Sequence, residues 1–372
     1  MKRLLVRGTN WLGDAVMTTP ALMRLREKFP GAHIALITPE KLGQLWLHHP
    51  AVDEVISFSA GQGVFSVAGK LRKGKFDVAL VLPNSPRSAM EVFFAMIPSR
   101  IGYARPWRNF FLTQTVAPRP GAVKMRKRPV SEVKALIDSS PQARIRTAPI
   151  LASVHQAHEY LHLAAAVGAS AEPFPATLHV TPDEVTTARQ KFGLAAVSNP
   201  IFGLNPGAEY GPAKRWPIER FIAAAKEIQK RTNCVWILFG ANSDVEMTNQ
   251  IESALLPGGP AVFNVAGKTS LRELMSLMKL CRVFLTNDTG PMHLAAALGV
   301  PVVAIFGSTS PELTAPLPAS ESRLQILASD TPCSPCFLRE CPIDFRCMNG
   351  IGIKAVVVAV LRLVQDGKNV KV

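Results

Sequence analysis

The sequence predicts an α/β protein built from two doubly wound domains, each with a parallel sheet. In both halves short apolar runs alternate with segments of helical spacing, which is typical of βα units. The length of 372 residues favours two domains at about 150 residues each. A chain that is 48% hydrophobic and 19% charged can bury a sizeable core and is not disordered.

The first half begins with a strand at Leu4–Val6, followed by helical spacing over Ala15–Phe29. Further strands are predicted at Ile34–Ile37 and Val78–Leu82. The alternation is clearer in the second half. Its predicted strands are Ile201–Leu204, Val235–Phe239, Val283–Leu285 and Val302–Phe306. Its predicted helices are Ile218–Arg231, Asp244–Leu256, Leu271–Leu280 and Pro291–Leu298.

Composition shifts divide the chain into four parts. Residues 1–170 are expected to form the first domain, and residues 171–182, rich in Ala and Pro, a linker. Residues 183–348 form the second domain, which ends in an irregular, cysteine-rich loop. Residues 349–372 contain a final helix that we expect to return to the first domain.

The charge indicates an anionic partner. The net charge is +15, and residues 1–180 carry +12 of it, against +3 for residues 181–372. The stretch Arg100–Arg146 has eleven basic residues and two acidic ones. Nucleic acid, anionic lipid and a phosphorylated substrate all remain open on this ground. Aromatic content is only 7%, and no RNA-binding aromatic motif accompanies the basic stretch.

Neither a membrane span nor a secretory signal is expected. The longest apolar run, Ala355–Leu361, is far short of the ~20 residues that a spanning helix needs. Arg7 interrupts the first apolar stretch, so a cytoplasmic location is predicted. Cysteines in such a compartment are thiols or metal ligands more often than disulfides. Four of the six lie at Cys333, Cys336, Cys341 and Cys347, a spacing that fits neither common zinc nor ferredoxin patterns. We therefore favour small buried side chains over a metal site.

Three loops carry candidate chemistry. The run Arg7–Asp14 follows the first strand, and Asp14 is either a helix cap or a carboxylate that serves as a general base. The run Asn205–Pro217 is rich in Gly and Pro and places Lys214 just before a helix. This pattern is equally consistent with a phosphate-binding loop and with a surface loop whose cations are solvated. The run Thr286–Pro301 starts a helix whose free N–H groups suit a phosphate, with His293 in the first turn.

At these motifs the chain resembles the bacterial ADP-heptose:lipopolysaccharide heptosyltransferases. The resemblance rests on Gly13–Leu22, Pro206–Pro217 and Asn287–His293, supported by Arg100–Tyr103 and by the Cys333–Cys347 loop. It implies a GT-B fold, with two Rossmann-like domains facing each other across a cleft. It also implies an inverting, metal-independent transferase without a cofactor, at the cytosolic face of the inner membrane with peripheral membrane contact.

The implied substrates agree with the charge pattern. The donor is ADP-L-glycero-D-manno-heptose, bound by the second domain. The acceptor is the anionic heptosyl-Kdo2-lipid A core of lipopolysaccharide, bound by the first domain, and no nucleic acid is involved.

Roles carry over by motif. Asp14 becomes the catalytic base, and Lys214 faces the diphosphate that leaves. The expected donor-binding residues are Glu209, Tyr210, Lys214, Asp244 (Asp244 or Glu246 being the weaker candidate, for the ribose), Lys268, Thr269, Asp288, Thr289, Gly290 and His293. The expected acceptor-binding residues are Asn10, Trp11, Arg87, Arg105 and Arg108.

Other readings remain. Ala104–Arg108 departs from the Gly-Glu-x-Arg that the family usually carries after Tyr103, so transfer of a different heptose is an alternative. A sugar-nucleotide epimerase has the same fold. A nucleic-acid- or metal-binding module is a third class, disfavoured because the basic stretch and the strongest motifs are expected in different domains.

Overall fold

Two parallel sheets form the frame of the computed structural model, which describes residues 1–139, 145–146, 153–257 and 261–369. The first sheet has the strand order β3-β2-β1-β4-β5-β6 and the second β10-β9-β8-β11-β12-β13-β7. All pairings are parallel except β7 with β13. Without β7, both sheets show the 3-2-1-4-5-6 order of dinucleotide-binding folds, which confirms the predicted fold class.

The strands are β1 (Arg3–Arg7), β2 (His33–Pro39), β3 (Glu54–Phe58), β4 (Val78–Val81), β5 (Ser99–Tyr103), β6 (Gln114–Val116), β7 (Ile145–Arg146), β8 (Ile201–Asn205), β9 (Val235–Leu238), β10 (Val262–Asn264), β11 (Val283–Asn287), β12 (Val302–Phe306) and β13 (Leu324–Ser329). The seven strands predicted above are all present. Each reads as an apolar run because helices cover both faces of a parallel sheet. The prediction missed β3, β5, β6, β7, β10 and β13. Of these, β3 and β6 are only partly buried and therefore carry polar residues.

The helices are α1 (Leu12–Met17), α2 (Thr19–Lys28), α3 (Val64–Lys73), α4 (Pro86–Phe94), α5 (Val130–Ser139), α6 (Ala157–Ala165), α7 (Pro182–Lys191), α8 (Ile218–Thr232), α9 (Val245–Leu255), α10 (Leu271–Lys279), α11 (Gly290–Ala297), α12 (Pro311–Thr314), α13 (Arg346–Asn349) and α14 (Ile353–Asn369). The predicted helix Ala15–Phe29 is in fact two. Pro20 has no N–H to offer the carbonyl of Val16, which accepts from the Thr19 hydroxyl at 2.8 Å instead. The chain turns at Thr18 between α1 and α2.

The chain divides into two compact units whose boundaries differ from the expected ones. Unit 1 comprises Met1–Ala122 and Ser153–His179, and unit 2 comprises Val123–Ala152 and Val180–Val372. Part of the expected first domain thus belongs to unit 2. The reason is visible at α5, where Val133 is buried against Cys333 and Cys336.

The final helix also corrects an expectation. Instead of returning to the first domain, α14 buries Val356 and Val360 in the core of unit 2, with Phe221 of α8. A helix with such a long apolar face is expected to pack against the sheet of its own unit and cover it from solvent. Residues 370–372 of the expected terminal part, and Arg144 of the basic stretch, lie outside the described residues. No helix among the described residues is both long and apolar enough to cross a bilayer.

The charge does not follow the halves of the sequence. Unit 1 holds 16 Lys and Arg against 9 Asp and Glu, a net +7, which leaves +8 for the rest of the chain. The segment Val123–Ala152, with seven basic and two acidic residues, lies in the first half of the sequence but belongs to unit 2. Its excess of positive charge is therefore part of unit 2. The prediction that the positive charge is concentrated in the first domain is therefore wrong.

Candidate active site

Each sheet has a point at which the connections diverge to opposite sides, between β1 and β4 in unit 1 and between β8 and β11 in unit 2. Doubly wound sheets bind ligands beyond the carboxyl ends of the strands at such points. The three motif loops begin here, directly after β1, β8 and β11. The frame therefore explains why these loops carry the candidate residues.

Beyond β1 and β4 of unit 1 lies a cavity of about 260 Å³. Its lining residues are Thr9, Asn10, Trp11, Asp14, Leu82, Pro83, Asn84, Tyr103, Gln156, Glu159 and Tyr160. Asn10, Trp11 and Asp14 were predicted from the motif after β1. Thr9 belongs to the same loop, and Tyr103 ends the Arg100–Tyr103 motif. The others lie just after β4 or in and next to α6, and no local pattern in the sequence marked them.

Asp14 lies in the first turn of α1, whose N-cap position is occupied by Trp11. It is thus not at the position that the helix-cap interpretation requires. Gln156 donates from Nε2 to Asp14 Oδ1 at 3.4 Å and to the Tyr160 hydroxyl at 2.9 Å. Burial, with the charge of Asp14, raises the pKa of Tyr160 well above its usual value, so this phenol stays neutral. The Asp14 carboxylate therefore lies at the cavity beside the carboxamide of Gln156 and the neutral phenol of Tyr160, and the Glu159 side chain lines the same cavity.

A buried ion pair holds the loop after β1. Arg7 Nε lies 2.8 Å from Glu91 Oε2, and both side chains are almost fully buried. A second guanidinium nitrogen of Arg7 donates to Asn10 Oδ1 at 2.9 Å. Because the pair fixes Arg7, it also fixes Asn10 at the cavity. Arg87, predicted to bind the acceptor, instead donates to Glu91 Oε1 at 3.1 Å and does not line the cavity.

Of the two arginines that follow β5, Arg108 differs from expectation. Arg108 is completely buried and donates to Pro83 O at 2.9 Å and to Asn84 Oδ1 at 3.2 Å. Burial, with Arg105 nearby, lowers the pKa of Arg108 to about 10. Arg105 lies over the ring of Tyr103, 5.8 Å from its centroid. Arg108 thus supports the cavity wall from behind and is not the exposed acceptor contact that was predicted.

The switch point of unit 2 is built around an ion pair. Lys214 Nζ lies 2.6 Å from Asp288 Oδ2, and the Thr309 hydroxyl donates to the same oxygen at 2.6 Å. Asn287, at the end of β11, donates to Pro206 O at 2.7 Å and accepts from the N–H of Trp216 at 3.1 Å. These bonds hold both ends of the Pro206–Trp216 loop against the strand end.

Three cations surround the ring of Tyr210. Lys214 Nζ is 5.0 Å from the ring centroid, the guanidinium of Arg339 5.3 Å and Lys127 Nζ 6.0 Å. Gly211, with φ of +150°, allows this close approach, because a Cβ there would lie 2.5 Å from the carbonyl oxygen of Arg339. Lys127 and Arg339 are distant in sequence from the motif, so sequence reasoning missed them. Such a group of cations fits a phosphate-bearing ligand.

The start of α11 adds to this anion-binding character. Thr289 occupies the N-cap position, but its hydroxyl meets that of Thr286 at 3.3 Å and caps no N–H. The first N–H groups of α11, which begins at Gly290, can therefore serve a ligand. His293 is buried within this helix. Asp288, Thr289, Gly290 and His293 thus lie together, as predicted.

The remaining predicted donor residues are more scattered. Asp244 is buried, accepts from the N–H of Ala241 at 3.0 Å and lies 3.6 Å from Arg215. It therefore braces the loops beside β9 through Oδ2, while Oδ1 has no hydrogen-bond partner within the described residues, and the expected contact with a ribose stays a prediction. Glu246 and Glu209 are exposed.

Beyond β10, exposed Lys268 donates to the carbonyl of Asn264 at 2.9 Å, and partly buried Thr269 follows it in sequence. These two residues lie at the end of a strand that neighbours β9 but not the switch point.

Of the four clustered cysteines of unit 2, Cys333, Cys336 and Cys347 are buried and Cys341 is partly buried. Cys333 and Cys336 pack with Val133 in an apolar cluster. Burial and the neighbouring thiols raise the pKa of Cys347 to about 12, and burial raises that of Cys333. The thiols of Cys333 and Cys347 are therefore protonated near neutral pH and pack as small apolar side chains. Across the described ranges, no group of three or more His, Cys, Asp or Glu side chains is arranged to hold a metal ion.

Comparison with known proteins identifies the family. The model of glycosyltransferase family 9 (heptosyltransferase) matches residues 64–345. The chain belongs to this family. This protein is 32% identical to lipopolysaccharide heptosyltransferase 2 of Escherichia coli K12 over 329 residues, which cover 85% of each chain. It is 31% identical to lipooligosaccharide heptosyltransferase 2 of Haemophilus influenzae, covering 88% of this chain and 89% of the relative.

A solved structure agrees over the full length. The ADP-heptose LPS heptosyltransferase II of E. coli superposes with a TM-score of 0.76 at 28% identity, covering 99% of this chain and 100% of that one. This structural match extends over both sheets and all three motif loops. The protein is therefore a glycosyltransferase of the heptosyltransferase family.

Proposed function

We propose that this protein transfers a heptose from ADP-L-glycero-D-manno-heptose to the heptosyl-Kdo2-lipid A core of lipopolysaccharide. One observation carries the proposal: the two switch points differ in chemistry, a carboxylate in a cavity at one and a group of cations at the other. A transferase that joins a sugar hydroxyl to a nucleotide-activated sugar needs both. The names and substrates of the heptosyltransferase relatives support the choice of sugar and acceptor.

Unit 1 binds the acceptor in this proposal, and Asp14 is its catalytic base. The acceptor hydroxyl attacks the anomeric carbon of the heptose and must lose its proton as the new bond forms. Asp14 accepts that proton. Gln156 donates to the carboxylate and so orients it, while Asn10, fixed by Arg7, lines the same cavity.

Unit 2 binds the donor. The bond between the anomeric carbon and the diphosphate breaks with its electrons, so negative charge grows on the departing ADP. Lys214 lies closest to Tyr210 among the cations there, and Arg339 and Lys127 add charge on the same ring. The N–H groups at the start of α11 supply further donors.

The reaction is a single displacement with inversion, and it requires no metal ion. A base that deprotonates the acceptor permits direct attack on the face opposite the leaving group, without a covalent intermediate on the protein. The protein's own cations and N–H groups provide the positive charge that the diphosphate needs.

We further propose a cytoplasmic location with peripheral contact at the inner membrane, where the lipid-linked acceptor is presented. The lipid-linked acceptor of the proposed reaction supports this location.

The test is direct. Purified protein is incubated with ADP-heptose and heptosyl-Kdo2-lipid A, and the products are followed as released ADP and as the mass gain of one heptose on the lipid. NMR of the new linkage reports inversion, and a parallel reaction with excess chelator reports metal independence. If ADP is released without a gain in lipid mass, or if Kdo2-lipid A lacking heptose is the better acceptor, the proposed acceptor is wrong.

A further inference from the structure

A continuous group of aromatic rings lies on unit 1, away from the residues that line the cavity. We call it the aromatic patch, and it consists of Phe65, Phe93, Phe94, Phe110 and Phe111. Ring centroids lie 4.7 Å apart for Phe65 and Phe94, 5.3 Å for Phe93 and Phe94, and 6.0 Å for Phe93 and Phe110. Rings from α3, from α4 and from the turn before β6 thus contact one another as one surface.

Much of this surface is open to solvent. Phe65 is 71% exposed and Phe110 80%, and two residues next to the patch in sequence, Met96 and Trp107, are 72% and 89% exposed. Met96 and Trp107 both adopt a positive φ, near +60°, which is uncommon for residues other than glycine. Large apolar side chains grouped in this way on a soluble protein mark an interaction surface.

Positive charge borders the aromatic patch. Arg72 donates to the carbonyl of Phe94 at 2.7 Å, and the guanidinium of Arg100 lies 5.3 Å from the ring centroid of Phe93. Residues 59–116, which contain the patch, hold eight Lys and Arg but only two acidic residues. Glu91 and Arg108 are buried and offer no charge to a partner, which leaves seven cations and the carboxylate of Asp77.

We propose that the aromatic patch docks on a lipid bilayer that contains anionic phospholipid. Peripheral proteins bind such membranes through two interactions: aromatic rings insert at the level of the headgroups, and cations contact the lipid phosphates. A second copy of this chain would bring the same positive border against itself, so self-association is disfavoured by charge. This inference rests on the proposed function, in which the acceptor is a membrane lipid, and it assigns the membrane contact to named residues.

The experiment measures binding to vesicles of phosphatidylcholine alone and of phosphatidylcholine mixed with phosphatidylglycerol. The wild type is expected to bind the mixed vesicles and to bind the neutral ones far more weakly. The double variant Phe65→Ser/Phe110→Ser should bind the mixed vesicles at least about tenfold more weakly, because two inserted rings are lost. Arg72→Gln should weaken binding about fivefold, the factor expected for one cation near an anionic surface.

Two controls lie in unit 2. Val358→Ser removes an exposed apolar side chain of α14, and Lys230→Gln removes an exposed cation of α8; neither should change vesicle binding. Thermal unfolding of every variant is compared with the wild type, so that a loss of fold is recognised. If the patch variants retain full vesicle binding, the proposal is overturned.

Two further measurements separate the alternatives. Light scattering of the wild type and the double variant reports self-association; a dimer that only the patch variant loses, with vesicle binding unchanged, would assign the surface to a second copy and overturn the proposal. Transfer to the acceptor in detergent, where no bilayer is needed, should be equal in the wild type and the double variant. If the wild type binds mixed vesicles through the patch but transfers no heptose, the membrane surface stands and the proposed function fails.

Discussion

The two switch points of this protein have the same frame and opposite chemistry. In unit 1 the strand order 3-2-1-4-5-6 leads to a cavity with the Asp14 carboxylate, a carboxamide from Gln156 and the neutral phenol of Tyr160. In unit 2 the same order leads to Lys214, Arg339 and Lys127 around one ring. The sheet therefore determines where a ligand can bind, and the loops and distant segments determine which ligand it is.

Net charge does not explain this difference. The two units carry nearly equal charge, +7 for unit 1 and +8 for the rest of the chain. What differs is its arrangement. The cations of unit 1 next to the cavity are used internally: Arg7 is paired with Glu91, and Arg108 supports Asn84. In unit 2, Lys214 is paired with Asp288, but three cations gather around the ring of Tyr210, where a phosphate is expected to bind.

The largest expected effect tests the carboxylate of unit 1. Asp14→Asn should lower the rate of transfer about 10²–10⁴-fold, the usual cost of losing a general base. The amide is close in size, so folding should be unaffected. ADP affinity, measured by calorimetry, should stay at the wild-type value because donor binding is assigned to unit 2. Turnover of Asp14→Asn near that of the wild type would exclude a base role.

The cations of unit 2 give the next effect. Lys214→Met should lower kcat about 10²–10³-fold, since the ammonium stabilises charge that grows as ADP leaves. The KM for ADP-heptose should rise while the KM for the acceptor stays unchanged. Steady-state kinetics with each substrate varied in turn checks this, with Lys226→Met on the exposed side of α8 as the matched control. An unchanged kcat with a raised acceptor KM would contradict the assignment.

A third prediction concerns the stability of unit 1 in acid. His49 is buried beside Trp46, and burial, with a smaller contribution from His179, lowers its pKa to about 4. Above pH 6.5 both folded and unfolded states are neutral, so the full stability is present. Below it the unfolded state binds a proton that the folded state refuses until about pH 4. The free energy of unfolding should therefore fall by about 2 kcal/mol between pH 7 and pH 5 from this group alone.

The measurement is hydrogen exchange of the strands of unit 1 at both pH values, for the wild type and for His49→Gln. The wild type should lose protection in β1 and β2 on acidification, and the variant should lose about 2 kcal/mol less, the amount assigned to this histidine. An equal loss in both proteins would mean that His49 does not contribute.

The smallest effect uses salt to separate the two units. Exposed charges are screened beyond about 8 Å at physiological ionic strength, so both KM values should rise with salt, and by a similar factor of about two to five. Lys127→Gln should reduce the salt dependence of the donor KM only, and Arg105→Gln that of the acceptor KM only. Both residues come from the same basic stretch of the sequence but lie in different units. If both variants changed the salt dependence of the same KM, the assignment of donor and acceptor to different units would be wrong.

Much of the fold and the centre of each site follow from local sequence. Apolar runs place the inner strands, because strands covered on both faces must be apolar along their length. The loops after β1, β8 and β11 follow from the Gly, Pro and Asn residues at strand ends, and these loops supply Asp14, Lys214 and Asp288. Such an alternation of strands and helices in both halves of the chain packs as two doubly wound units.

The tertiary structure alone decided which distant residues join those loops. Gln156 and Tyr160 reach Asp14 from α6, and Lys127 and Arg339 reach Tyr210 from two other segments, because packing of apolar faces and not sequence proximity brings them there. The cluster of Val133, Cys333 and Cys336 shows the cause: its burial places the basic segment before α5 in unit 2. The sequence therefore determined the total charge and the strand-end chemistry. Burial of a few apolar side chains, which has no signature in charge or local spacing, determined the unit to which that charge belongs.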